Sequence, residues 1–121
     1  MLIEEIRKTI CNIAARFPQG FTFDYKKGAL ANNGYVVATE DTQDCSIGLL
    51  KVIMYCIINP GYCIGGWRNE EGIMQFDASR VVNDLGEALS LAAQHNQRAI
   101  FDLNSGRTIM ADEYATYAIA A

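Results

Sequence analysis

Two glycines followed by the chain's single tryptophan, in Cys63-Ile64-Gly65-Gly66-Trp67, form the most unusual local feature of this sequence. Residues without side chains open a gap beside an indole, and a ligand ring or a partner's side chain fits such a gap. The plainer account is that Trp67 caps a core and the glycines relieve crowding. Tyr62 stands beside this segment, and Glu40, Asp77 and Cys63 are the polar groups that an enzyme or small-ligand binder would use there. A second candidate is the polar stretch from Glu40 to Asp44. Free amides at a helix start attract anions, but three acids in this stretch repel them, which favours a solvated cap.

His95 and the cysteines supply the types needed for a base and a nucleophile. His95, however, falls at the predicted end of a helix before Asn96 and Gln97, where an imidazole meets free carbonyls or water. Asp77, Asp84 and Asp102 invite comparison with an acid–base pair or a metal site, yet Asp84 has a capping task and the other two stand near strand ends. The four cysteines, Cys11, Cys45, Cys56 and Cys63, show no C-x-x-C spacing and share one histidine, so no structural zinc site is expected. A phosphate loop, a dinucleotide fingerprint and a Ser/His/Asp order are all missing. The pattern implies no cofactor and no metal, and it leans against an enzyme.

These residues must be positioned by an alternation of helices and hairpins. Ile3, Ile6, Ile10, Ile13 and Phe17 recur at steps of three and four, which predicts an amphipathic helix ending before Pro18. Phe21, Phe23 and Tyr25 alternate with polar residues as in a half-buried strand, and a second strand over residues 35–39 is expected to pair with it as a hairpin. A helix is predicted to begin at Asp41 or Thr42 and to run through Ile47, Leu50, Ile53, Met54 and Ile57 to Asn59-Pro60-Gly61, although its β-branched residues also suit a strand. Residues 62–68 and 73–77 flank a turn and read as a hairpin, with a bulge or close approach at the glycines. Asp84 and Glu87 form a capping box for a helix reaching about His95. Residues 99–103 and 107–110 make a last hairpin, and the tail from Ala111 is expected to form one or two helical turns. The fold class expected is α+β, an antiparallel sheet built from hairpins with about three helices packed mainly on one face, in a single domain over residues 1–121.

With 121 residues, half of them hydrophobic and a fifth charged, the composition is that of an ordinary globular chain. Ten Lys and Arg against fourteen Asp and Glu give a formal net charge of −4 without blocks, so no nucleic-acid surface is expected. The apolar run from Ile47 to Ile58 is too short to span a bilayer, and the charged N-terminus lacks the pattern of a secretory leader. A cytoplasmic setting follows as the expectation, with the cysteines as buried small hydrophobes.

The blocks Gly20-Phe21-Thr22-Phe23-Asp24, Gly34 to Gln43, Gly65-Gly66-Trp67, Phe76-Asp77-Ala78-Ser79 and Asn96 to Leu103 resemble those of small uncharacterised proteins of gut bacteria, their phages and conjugative elements. That resemblance implies a setting on mobile DNA and carries over no catalytic residue. The reading that results is a binding or interaction protein, an accessory factor of a phage or mobile element that contacts another protein. Trp67, Tyr62 and Tyr25 are its aromatic anchors. The alternative is a small-ligand binder or enzyme using the cleft beside Gly65, Gly66 and Trp67. A homodimer is also open if the Ala- and Tyr-rich tail forms an exposed apolar strip.

Overall fold

The computed structural model describes residues 2–41 and 46–116, with residues 39–41, 46 and 47 described by backbone only. Helix α1 (Ile3–Arg16) buries Ile6 and Ile10, and it closes where the Phe17 amide bonds to the Ile13 carbonyl at 2.8 Å. Pro18, which has no amide hydrogen, cannot extend it. Helix α2 (Ser46–Ile58) is the segment whose β-branched residues left strand open. Packing decides the matter, because Leu49, Val52, Ile53 and Cys56 all fall on its buried side. The helix starts after the predicted Asp41 or Thr42, since Asp41 closes a strand and Thr42 lies outside the described residues. Helix α3 (Leu85–Gln94) opens on Asp84, whose carboxylate accepts from the Glu87 amide at 2.8 Å, the N-cap arm of the predicted capping box.

Seven strands form one sheet: β1 (Gly20–Asp24), β2 (Ala29–Leu30), β3 (Tyr35–Asp41), β4 (Cys63–Arg68), β5 (Met74–Val82), β6 (Ala99–Asp102) and β7 (Arg107–Met110). Their order is β2-β1-β4-β5-β3-β6-β7, and every neighbouring pair is antiparallel. The hairpins β4–β5 and β6–β7 form as expected. The hairpin expected between residues 21–25 and 35–39 does not. Instead β1 turns back onto the two-residue β2 through Asp24, whose Oδ1 accepts from the amides of Lys26 and Lys27. Strand β3 crosses to the middle of the sheet, between β5 and β6.

This order interlocks two crossover units. Strands β3 and β4 run parallel with β5 between them and α2 as their connection, while β5 and β6 run parallel with β3 between them and α3 as theirs. Residues directly opposite one another on antiparallel strands share a face, so the register assigns the two faces. Phe23, Ile64, Ala78, Val37, Val82, Ile100 and Ile109 lie on one face, under the three helices. Around them are two apolar clusters, one of α1 and α2 over β1, β4 and β5, the other of α3 over β3, β6 and β7. The fold is thus α+β, an antiparallel sheet with its α-helices on a single face. A short 3-10 turn, Ala111–Glu113, begins the tail, and residues 117–121 of the predicted apolar strip lie outside the described residues.

Among the described cysteines, Cys56 and Cys63 are buried as expected, but Cys11 is exposed on α1, and Cys45 lies outside the described residues. Cys11 occupies a position next to, rather than on, the buried row of Ile6 and Ile10. No helix among the described residues is long and apolar enough to cross a membrane.

Candidate binding cleft

The face of the sheet away from the helices carries a cleft of about 890 Å³. Residues of β1 and β2 at one end of the strand order and of β6 and β7 at the other line the same hollow, so the sheet curls around this face. Its floor follows from register. Thr22 stands opposite Gly65, Gly65 opposite Asp77, and Ser79 two residues further along β5 opposite Ala38. Thr22, Asp77 and Ser79 are the three buried polar residues among the described residues, and all of them line the cleft. Asp77 is 5% exposed, and its Oδ1 accepts the Ser79 hydroxyl at 2.5 Å. A carboxylate withdrawn from water this far is costly unless hydrogen-bonded, and Ser79 supplies one such bond.

The two glycines act on opposite faces. A Cβ on Gly65 would stand 2.3 Å from Asp77 Oδ1, so on the cleft side its missing side chain is the space the carboxylate occupies. A Cβ on Gly66 would stand 2.3 Å from Phe21 Cε1, so on the helix side the Phe21 ring occupies that space, beside Phe76 at 6.5 Å between ring centres. The predicted gap beside the tryptophan is therefore filled at both residues by the protein's own groups. What remains open is the hollow above Asp77.

Trp67, 44% exposed, and Phe101, 40% exposed, stand over this hollow from β4 and β6, with Phe17 and Leu30 also on its lining. The loop from Asn96 to Arg98 contributes polar edges. It is pinned by the Tyr114 hydroxyl, which donates to the Gln97 carbonyl at 3.1 Å, and by the Ala111 amide, which donates to the Arg98 carbonyl at 2.7 Å. Asn96 takes a left-handed φ of 53° where the chain leaves α3, a conformation Asn tolerates better than most residues. On the other side the Arg68 guanidinium donates to the Pro18 carbonyl at 2.8 Å and to the Gly72 carbonyl, tying the α1–β1 loop to the β4–β5 turn.

Of the residues singled out in the sequence, Gly65, Gly66, Trp67 and Asp77 meet in this one cleft. Tyr62 does not join them. It packs edge-on against Tyr55 at 5.2 Å, with the α1–α2 cluster. Tyr25 likewise turns inward, its hydroxyl donating to the Cys56 carbonyl at 3.0 Å. Glu40 sits opposite Ala78 beside a register shift in β3, and its side chain lies outside the described residues. Cys63 is opposite Ser79, and burial pushes its thiol up to about 11, against what a nucleophile at neutral pH requires. His95 stands at the C-terminal end of α3, where the sequence placed it, and it caps the helix through its backbone amide. Sequence reasoning missed Thr22, Ser79 and Phe101. Ser79 was within reach, since it follows Asp77 by two and so shares its face; the other two come from strands that only the topology brings near. Among the described residues no three His, Cys, Asp or Glu side chains gather as a metal site.

Comparison with known proteins finds no matching family model, no matching curated protein and no matching solved structure.

Proposed function

We propose that this chain is a non-enzymatic binding protein whose working surface is the helix-free face of the sheet, and that the occupant belongs to another protein. One observation carries this reading: a polar floor of Thr22, Asp77 and Ser79 lies in a hollow ringed by the exposed apolar residues Phe17, Leu30, Trp67 and Phe101. Apolar anchors around a few fixed polar groups are the pattern of recognition surfaces. The resemblance to proteins of phages and conjugative elements supports a role as an accessory factor of a mobile element. The free thiols of Cys11, Cys56 and Cys63 suit the reducing cytoplasm.

Capture from a bacterial lysate tests it. A protein retained by the unaltered chain and lost with both Trp67→Ala and Phe101→Ala, two substitutions at exposed positions, supports the reading. Equal recovery by all three chains refutes it. The volume of the cleft also favours a second reading, a small-ligand binder, because it falls in the range of roughly 300–1,000 Å³ typical of ligand sites. A thermal-shift screen against nucleotides and metabolites separates the two, since a ligand selective for the folded state raises its melting temperature.

A further inference from the structure

The sheet ends at β7 in an edge whose backbone pairing can be read residue by residue. The Ala111 amide donates to the Arg98 carbonyl, which makes these two a hydrogen-bonded pair in the β6–β7 register. Such pairs alternate along an antiparallel ladder, so Ile100 with Ile109 and Asp102 with Arg107 are the others. The far side of β6 agrees, since the Leu103 amide donates to the Gly34 carbonyl and so turns Phe101 and Leu103 toward β3. Thr108 and Met110 therefore direct both N–H and C=O away from β6, and no described residue bonds to these groups. Beyond β7 the chain turns toward the helices, where Tyr114 packs with the second apolar cluster, and this leaves the edge open. The two ends of the sheet differ in this respect. Strand β2 is only two residues long, which discourages pairing, whereas Thr108-Ile109-Met110 contains no Pro, no charge and no register shift to blunt it.

Independently of what fills the cleft, we infer that two copies of this chain join through β7, antiparallel about Ile109, to form one continuous sheet. With Ile109 opposite its own counterpart, Thr108 faces the partner's Met110 and Met110 faces the partner's Thr108. Each of these pairs exchanges both hydrogen bonds, so every outward group of Thr108 and Met110 is used. Other registers waste them: centring on Thr108 sets Met110 against the Gly106 turn, and centring on Met110 sets Thr108 against the 3-10 turn. Charge selects a second copy as the occupant. Arg107 begins the strand, Asp112 and Glu113 follow its end, and among the described residues the only ion pair is that of Arg7 with Glu4. The antiparallel register places Arg107 opposite the partner's Ala111 and thus beside the partner's Asp112 and the partner's Glu113, at both ends of the ladder by symmetry. Exposed pairs of this kind contribute little singly, but they fix orientation, because parallel pairing would set Arg107 against the partner's Arg107. They also act locally against the repulsion from a net charge of −4 on each chain.

The test uses the full chain. Light scattering at rising concentration should show a dimer populated by the millimolar range. Hydrogen exchange followed by NMR should show the Thr108 and Met110 amides slowing as the dimer forms, while the Ile109 amide, already bonded within the chain, is protected throughout. Met110→Pro removes one outward N–H and nothing from the β6 ladder, and the Met110 φ of −84° is close to the value proline fixes. It should raise the dissociation constant about tenfold or more, since each dimer loses two hydrogen bonds. An equal rise with Met110→Ala, which keeps the N–H, would assign the contact to the side chain and overturn the backbone pairing. A chain that stays monomeric at millimolar concentration overturns the inference. So does a dimer whose Thr108 and Met110 amides exchange as fast as in the monomer, a comparison that needs no variant and holds even if Met110→Pro does not fold. The lysate capture with Trp67→Ala judges the cleft separately.

Discussion

Gly66 and Phe21 depend on each other across one row of the sheet, and the dependence is measurable. Because a Cβ on Gly66 would lie 2.3 Å from the ring, Gly66→Ala forces Phe21 off its seat beside Phe76. We expect a loss of about 1–3 kcal/mol, as for overpacking elsewhere. In a Phe21→Leu background the same substitution should cost less, and urea unfolding of the four chains measures the coupling; simple additivity would contradict the contact. The buried thiols give a second prediction. Burial pushes Cys56 up to about 12 and Cys63 up to about 11, so in alkali the thiolate forms first in the unfolded chain. Their contribution to stability is complete below about pH 9 and falls as pH rises toward these values, by about 1.4 kcal/mol per pH unit for each thiol. Urea midpoints in the presence of reductant at pH 7, 9 and 10 should show the fall, and a flat profile would contradict it.

At the scale of elements, α3 owes its start to one side chain. Asp84→Ala removes the acceptor for the Glu87 amide, and a cost of about 0.5–2 kcal/mol is expected, read from the urea midpoint at constant slope. Asp84→Asn, which keeps an oxygen at the cap, should recover most of it. Such local devices were the legible part of the sequence. Spacing identified α1 and α3, and turn residues identified the β4–β5 and β6–β7 hairpins, because the physics of each is complete within about a dozen residues. Strand pairing between distant segments is different. Residues 35–39 read as a strand, but nothing in them says that their neighbours are Met74–Val82 and Ala99–Asp102 rather than the nearer Gly20–Asp24. For the same reason half of the cleft could be read. Gly65, Gly66, Trp67 and Asp77 are close in sequence or join through one hairpin, whereas Thr22 and Phe101 reach the hollow only through the order of the whole sheet.

For the molecule as a whole, the interlocking of β3 and β5 predicts that the two apolar clusters unfold together. Each central strand completes the crossover unit that the other belongs to, so neither cluster keeps its sheet when one is lost. Trp67 fluorescence reports on β4, beside the first cluster, and far-ultraviolet circular dichroism on all elements; their urea midpoints should coincide, and separated transitions would show two independent units. The same topology bears on how the chain is made. Both ladders of β3 are formed with strands that come later in the sequence, so as the polypeptide emerges from the ribosome this strand has no partner until Met74–Val82 has followed it. During that interval Val36 and Val37 wait with unpaired backbone, a window in which a chaperone, or a neighbouring nascent chain, competes for the place that β5 will take.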